Sequence, residues 1–124
     1  MSLINMFLGN AQSIDKNALT QELDFILLPN EEIVAGYVVV RDTIIFTDKR
    51  MILVDKQGLS GKKKDYLTVP YKSITMVAME NAGTFDTNEE LKIWVRGIEL
   101  PFKYNFAKGS TLDTVYKIIC SYIL

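Results

Sequence analysis

Few side chains in this sequence can do chemistry at neutral pH, and the string with the most suggestive spacing is Gly58-Leu59-Ser60-Gly61-Lys62-Lys63. It has the glycines and lysine of a phosphate-cradling loop. It lacks the four-residue gap and the Ser/Thr after lysine that reaches magnesium, and it joins strand to strand rather than strand to helix. The same residues fail the Gly-x-Ser-x-Gly pattern, and Ser60 has no base to activate it, because the chain contains no histidine. That absence removes the commonest general base and metal ligand near pH 7 and excludes a zinc site built on imidazole. Cys120 is the single cysteine, with Lys117 one helical turn back as its only cationic neighbour. It reads as a structural thiol in a reducing compartment. Glu31-Glu32, Asp86 and Glu89-Glu90 fall at the ends of elements, where capping and solubility account for them, whereas a hard cation needs several oxygens converging from one dedicated loop. No catalytic residue, metal or cofactor is expected.

Binding features are stronger. Lys62-Lys63-Lys64 is the one dense basic run, and Lys49, Arg50 and Lys56 lie across the adjoining hairpin, with Arg41 at the preceding turn. A solvated start of a strand, whose charges keep a sheet edge from pairing, is the plainer reading. The other is an anion or partner patch of Arg41, Lys49, Arg50, Lys62, Lys63 and Lys64. Formal net charge is -1 and the pI about 5.4, so no overall positive field supports nucleic-acid binding.

The elements that must position these residues follow from periodicity. One 14.1-kDa chain of 124 residues is long enough to bury a core without disulfides or metals. Ser13 or Asp15 can cap a helix with apolar positions Leu19, Leu23, Ile26 and Leu27, ended by Pro29-Asn30. The period then changes to about 2. Strands are expected over Glu32–Val40, Asp42–Thr47, Arg50–Asp55, Asp65–Val69, Ser73–Glu80 and Glu90–Arg96. Leu91, Ile93 and Val95 share one face of the sixth, and a seventh follows a turn at Gly97 with Ile98, Leu100, Phe102 and Tyr104 on one face. Ser110 is placed to cap a final helix whose stripe Leu112, Val115, Tyr116, Ile119 and Ile123 must cover apolar surface. The longest apolar run, Ile33–Val40, is far short of the roughly 20 residues of a membrane span. No export signal is read at the N-terminus, so a cytoplasmic location is expected.

Two features suggest association. Ile44 and Phe46 against Ile45, and Met51 and Leu53 against Ile52 and Val54, make strands apolar on both faces, with little chain to spare for a second cover. Trp94 falls on the outward face beside Lys92 and Arg96, to be covered either by the N-terminal helix or by a neighbouring subunit. Ile45 and Trp94 are the candidate oligomer contacts.

The ordered strings Phe46-Thr47-Asp48-Lys49-Arg50, Leu53-Val54-Asp55-Lys56-Gln57-Gly58, Val69-Pro70-Tyr71-Lys72-Ser73-Ile74, Ala82-Gly83-Thr84-Phe85-Asp86 and Glu90-Leu91-Lys92-Ile93-Trp94-Val95 closely resemble the small bacterial pleckstrin-homology-like family. The resemblance implies an α+β fold: a seven-stranded antiparallel, partly open barrel capped by a C-terminal amphipathic helix. Residues 31–124 then form the domain and residues 1–30 an added N-terminal helical extension. It further implies a non-catalytic module that assembles into a cyclic homo-oligomer, a pentameric ring, and binds an as yet unidentified protein partner through a polar strand-edge surface. The alternative is a peripheral adaptor that meets anionic lipid or phosphate-bearing ligands through Lys62–Lys64. Against it, the junction of the first two strands offers Arg41 alone, where phosphoinositide-binding relatives carry a spaced basic set.

Overall fold

Alternation of apolar side chains builds two antiparallel sheets around one main core. A computed structural model describes residues 12–39, 42–57, 63–81, 83, 88–107 and 111–124, with 12, 56 and 57 by backbone alone. In chain order the elements are β1 (Gln12–Ser13), α1 (Lys16–Glu22), β2 (Ile33–Val39), β3 (Asp42–Thr47), β4 (Arg50–Gln57), β5 (Lys63–Pro70), a 3-10 turn (Tyr71–Ser73), β6 (Ile74–Glu80), β7 (Asn88–Val95), β8 (Phe102–Ala107) and α2 (Leu112–Ile123). Strands β1 to β5 form one sheet in chain order and β6 to β8 form the other. The seven expected strands are β2 to β8. The two-residue β1, which pairs with Tyr37 and Val38 of β2, is an addition too short to carry a period.

The main core lies between the sheets. Ile44, Phe46, Met51, Leu53 and Val69 come from the first sheet and Leu91, Ile93, Tyr104 and Phe106 from the second. Leu112, Val115 and Ile119 of α2 close it, so the helix stripe covers what its spacing requires. The stacked rings of Tyr71 and Tyr122, 4.0 Å apart, hold the end of α2 against the 3-10 turn. The N-cap of α2 is Thr111, one residue beyond the expected Ser110, which lies outside the described residues.

The last strand begins later than alternation suggests. Pro101 has no N–H for a ladder and a fixed φ, so pairing with β7 starts at Phe102, opposite Ile93. Ile98 and Leu100 are therefore exposed loop residues rather than core, and Phe106 takes the buried place assigned to them. Gly97 has a φ of 86° in the turn that leaves β7.

The second apolar face of the larger sheet is covered from within the chain. Ile33, Val38, Ile45, Ile52 and Val54 form a separate core with Ile14, Leu19 and Leu23. Asp15, not Ser13, caps α1: its Oδ2 accepts from the N–H of Ala18 at 3.1 Å. Gly36 lets α1 approach closely, since a Cβ there would lie 2.3 Å from Leu19 Cδ1. Ile45, 1% exposed under this cover, is thus an interior residue and not the subunit contact expected of it. The expectation of surplus apolar surface is met instead by α1 and Ile14, which cover this face from within the chain.

Candidate functional site

Glu31 organises the basic side of the larger sheet. Its carboxylate sits at the foot of β2, 8% exposed, and Arg50 reaches it from the start of β4. Arg50 Nε donates to Oε2 and Nη2 to Oε1, both at 2.9 Å, the two-pronged geometry that makes guanidinium–carboxylate pairs strong. Thr47 Oγ1 donates to Oε2 at 2.6 Å and accepts from the N–H groups of Lys49 and Arg50 at 3.0 Å. The Leu28 N–H donates to Oε1 at 2.9 Å, and Arg50 Nη2 also donates to the Ile26 carbonyl at 2.6 Å. The Arg50 guanidinium, with help from Leu28 and Thr47, outweighs burial and holds the Glu31 carboxyl at about 2. This network pins residues 26–31 to the β3–β4 turn.

Arg50 is therefore a structural cation, not a free ligand group. A capping or solubility role for Glu31 is corrected too: its burial follows from Arg50, 19 residues away, which local spacing does not reveal. The Thr47-x-x-Arg50 turn beside Glu31 is the one signal that a turn network exists.

The other basic candidates do not converge. Lys49 adjoins the Arg50–Pro70 end of the β4–β5 ladder, whereas Lys63 pairs with Gln57 at its other end. Seven ladder steps at about 3.3 Å separate those ends by roughly 23 Å. Lys63 and Lys64 point to opposite faces of β5, and Lys64 Nζ lies 3.9 Å from Glu22 Oε1 on the α1 side. Arg41 and Lys62 lie outside the described residues, as does the loop 58–61.

Among the described residues β5 ladders with β4 alone, β6 with β7 alone and β8 with β7 alone. The outer backbone edges of β5 and β6, the two longer of these strands, have no described strand beside them, the arrangement that templates pairing with another chain. Leu67 of β5 is 41% exposed and Met76 of β6 is 51% exposed, with Met79 exposed farther along β6. Trp94 pairs with Met76 across the β6–β7 ladder and is half-buried on the outer face of the smaller sheet. Among the described residues the N-terminal cover does not reach it, since that cluster is built on the other sheet. Among the described residues no helix is long and apolar enough to cross a membrane, and no group of three or more Cys, Asp or Glu is placed to hold a metal ion.

Comparison with known proteins gives a consistent result. Residues 2–123 match the family model described as "Bacterial PH domain". The chain is 45% identical over 122 residues to the uncharacterized protein YjqA of Bacillus subtilis (strain 168), covering 98% of each chain. Among solved structures, a DUF1696 family protein with a pleckstrin-homology domain from Shewanella loihica PV-4 superposes with a TM-score of 0.82 at 44% identity, covering 94% of this chain and 99% of that one. A pleckstrin homology domain from Shewanella amazonensis SB2B gives 0.80 at 43% identity, covering 88% and 98%.

Proposed function

The chain belongs to the bacterial PH domain family, and we propose that it is a non-catalytic module that self-assembles head to tail into a closed ring and offers a polar strand edge to a protein partner. The observation that carries this reading is that the outer edges of β5 and β6 have no strand beside them among the described residues, with apolar side chains exposed along each. Such edges are an aggregation hazard in a monomer, and natural proteins cover, shorten or charge them. Here Lys63, Lys64 and Asp65 at one end of β5 and Pro70 at the other leave Tyr66–Val69 between them without a charged residue. A contact between β5 of one copy and the Met76–Trp94 region of the next uses different surfaces on the two partners, so it repeats and closes into a ring if the rotation allows. A pentamer is the proposed ring. Anionic-lipid binding has no comparable support, because Arg50 is committed to Glu31 and Lys49 lies far from Lys63.

Light scattering at micromolar concentration tests the assembly. The expected mass is several times 14.1 kDa, and Trp94→Ala lowers it. A monomeric mass at every accessible concentration overturns the ring; an intact oligomer in the variant removes only the role given to Trp94. Affinity capture from cell extract with the assembled protein then identifies the partner.

A further inference from the structure

At the end of the inter-sheet space remote from the Tyr71 turn, three aspartates stand in a row across neighbouring strands. Asp55 of β4 is the direct ladder partner of Asp65 of β5. Asp42 of β3 follows one position beyond the Thr43–Val54 pair, which brings it beside Asp55. All three share the face of Ile44, Leu53 and Val69, so the row lies on the side of the sheet that looks into the main core. Like charges directly opposed on one face weaken a sheet, and neither propensity nor packing calls for them here.

The row rims a cavity of about 210 Å³ walled by Leu53, Leu67, Phe102 and Tyr104, with Lys103 at its edge. A water needs roughly 10–15 Å³ on this measure, so the space takes a whole side chain. Tyr104 lines it at 8% exposure, and its hydroxyl makes no hydrogen bond to any described residue. A hydroxyl that faces this space with no partner among the described residues is one that a ligand filling the space can bond. Burial first, then the negative charge of Asp42 and Asp55, raise its pKa, so the group stays protonated with a lone pair available to an incoming N–H. Lys103 does not fill this role: no ion pair among the described residues joins it to the aspartates. Asp42 and Asp65 have interactions of their own, which leaves Asp55 to meet the ligand's charge.

We propose that this cavity binds an organic cation, an ammonium or guanidinium carried on an apolar stem by a lysine or arginine side chain of a partner polypeptide, with the stem against Leu53 and Phe102 and the head between Asp55 and the Tyr104 hydroxyl. A divalent metal fits less well, because the carboxylates do not converge on one point among the described residues. The aromatic walls favour a cationic head, and the carboxylate rim excludes anions. The site does not depend on the ring, since every group named belongs to one chain.

The test is titration of the ¹⁵N-labelled protein, followed by amide shifts, with N-acetyl-lysine methylamide, its arginine counterpart, neutral N-acetyl-norleucine methylamide, free 1,5-diaminopentane and calcium chloride. The expected result is saturable, salt-weakened shifts at Asp55 and Tyr104 with the lysine or arginine probe and none with norleucine. Asp55→Asn weakens binding about fivefold, the loss of one solvent-facing ion pair, and Tyr104→Phe weakens it without lowering the melting temperature. Absence of a saturable shift, an equal response to norleucine, or unchanged affinity in Asp55→Asn overturns the site. Tighter binding of the free diamine, or calcium binding in place of the amines, overturns the side-chain identity of the ligand. The mass of Asp55→Asn, expected to equal that of the wild type, keeps failure of this site distinct from failure of the assembly.

Discussion

Replacing Glu31 with Gln removes the negative charge that Arg50 was folded to meet, and the effect on stability can be worked from the structure. The Glu31 carboxyl is lowered from 4.5 to about 2, which corresponds to about 3 kcal/mol of stabilisation at neutral pH. Loss of one partner from a buried pair costs a similar amount, about 3–5 kcal/mol, because the other charge stays buried. Arg50 is that stranded charge, its side chain 14% exposed. Because the folded pKa is depressed, the contribution is fully present above pH 4.5 and is lost as pH falls through 2. The assay is urea unfolding of wild type and Glu31→Gln across pH 7 to 2. A difference of about 3 kcal/mol, or roughly 10 °C or more in melting temperature, is expected at pH 7, and the gap narrows steadily below pH 4.5. A difference under about 1 kcal/mol at pH 7, or a gap that does not narrow in acid, refutes the reasoning.

Two further substitutions probe the two cores. Gly36→Ala forces a methyl against Leu19 and is expected to cost about 1–3 kcal/mol of overpacking; combined with Leu19→Ala the loss should be less than the sum of the two, and strict additivity in the double-mutant cycle contradicts the close approach. Ile119→Asp places a charge in the fully buried stripe of α2, so cooperative thermal unfolding is expected to be lost, and an unchanged melting temperature means that α2 does not close the main core.

Much of this fold is local in origin and could be read from spacing. The stripe of α2 and the alternation in β7 each specify one buried face through residues a few positions apart, and Leu112, Val115, Ile119, Leu91 and Ile93 are buried accordingly. What escaped depends on distant partners or on a single special residue. Pro101 moved the start of β8, though the alternation from Ile98 to Tyr104 is perfect as a pattern. Ile45 looked like surplus apolar surface because the periodicity of α1 says that it has a face to bury but not which sheet it buries it on. Glu31 and Arg50 looked like surface charges because their meeting is a tertiary event. The basic candidates failed for a related reason: adjacency of Lys63 and Lys64 in the chain puts them on opposite faces of a strand. Nothing in the local pattern marked Tyr104 as lining a cavity, since alternation alone makes it one more inward aromatic.

Amide hydrogen exchange along β5 tests whether its outer edge is paired in the assembled protein. Alternate N–H groups of β5 point away from β4, on the edge where no described strand lies. At concentrations where light scattering reports a multiple of the chain mass, these amides are expected to exchange as slowly as those of the interior strands β3 and β4 and to speed up on dilution. Fast, concentration-independent exchange at those positions in a protein whose mass is already several times that of one chain contradicts assembly through the strand edge.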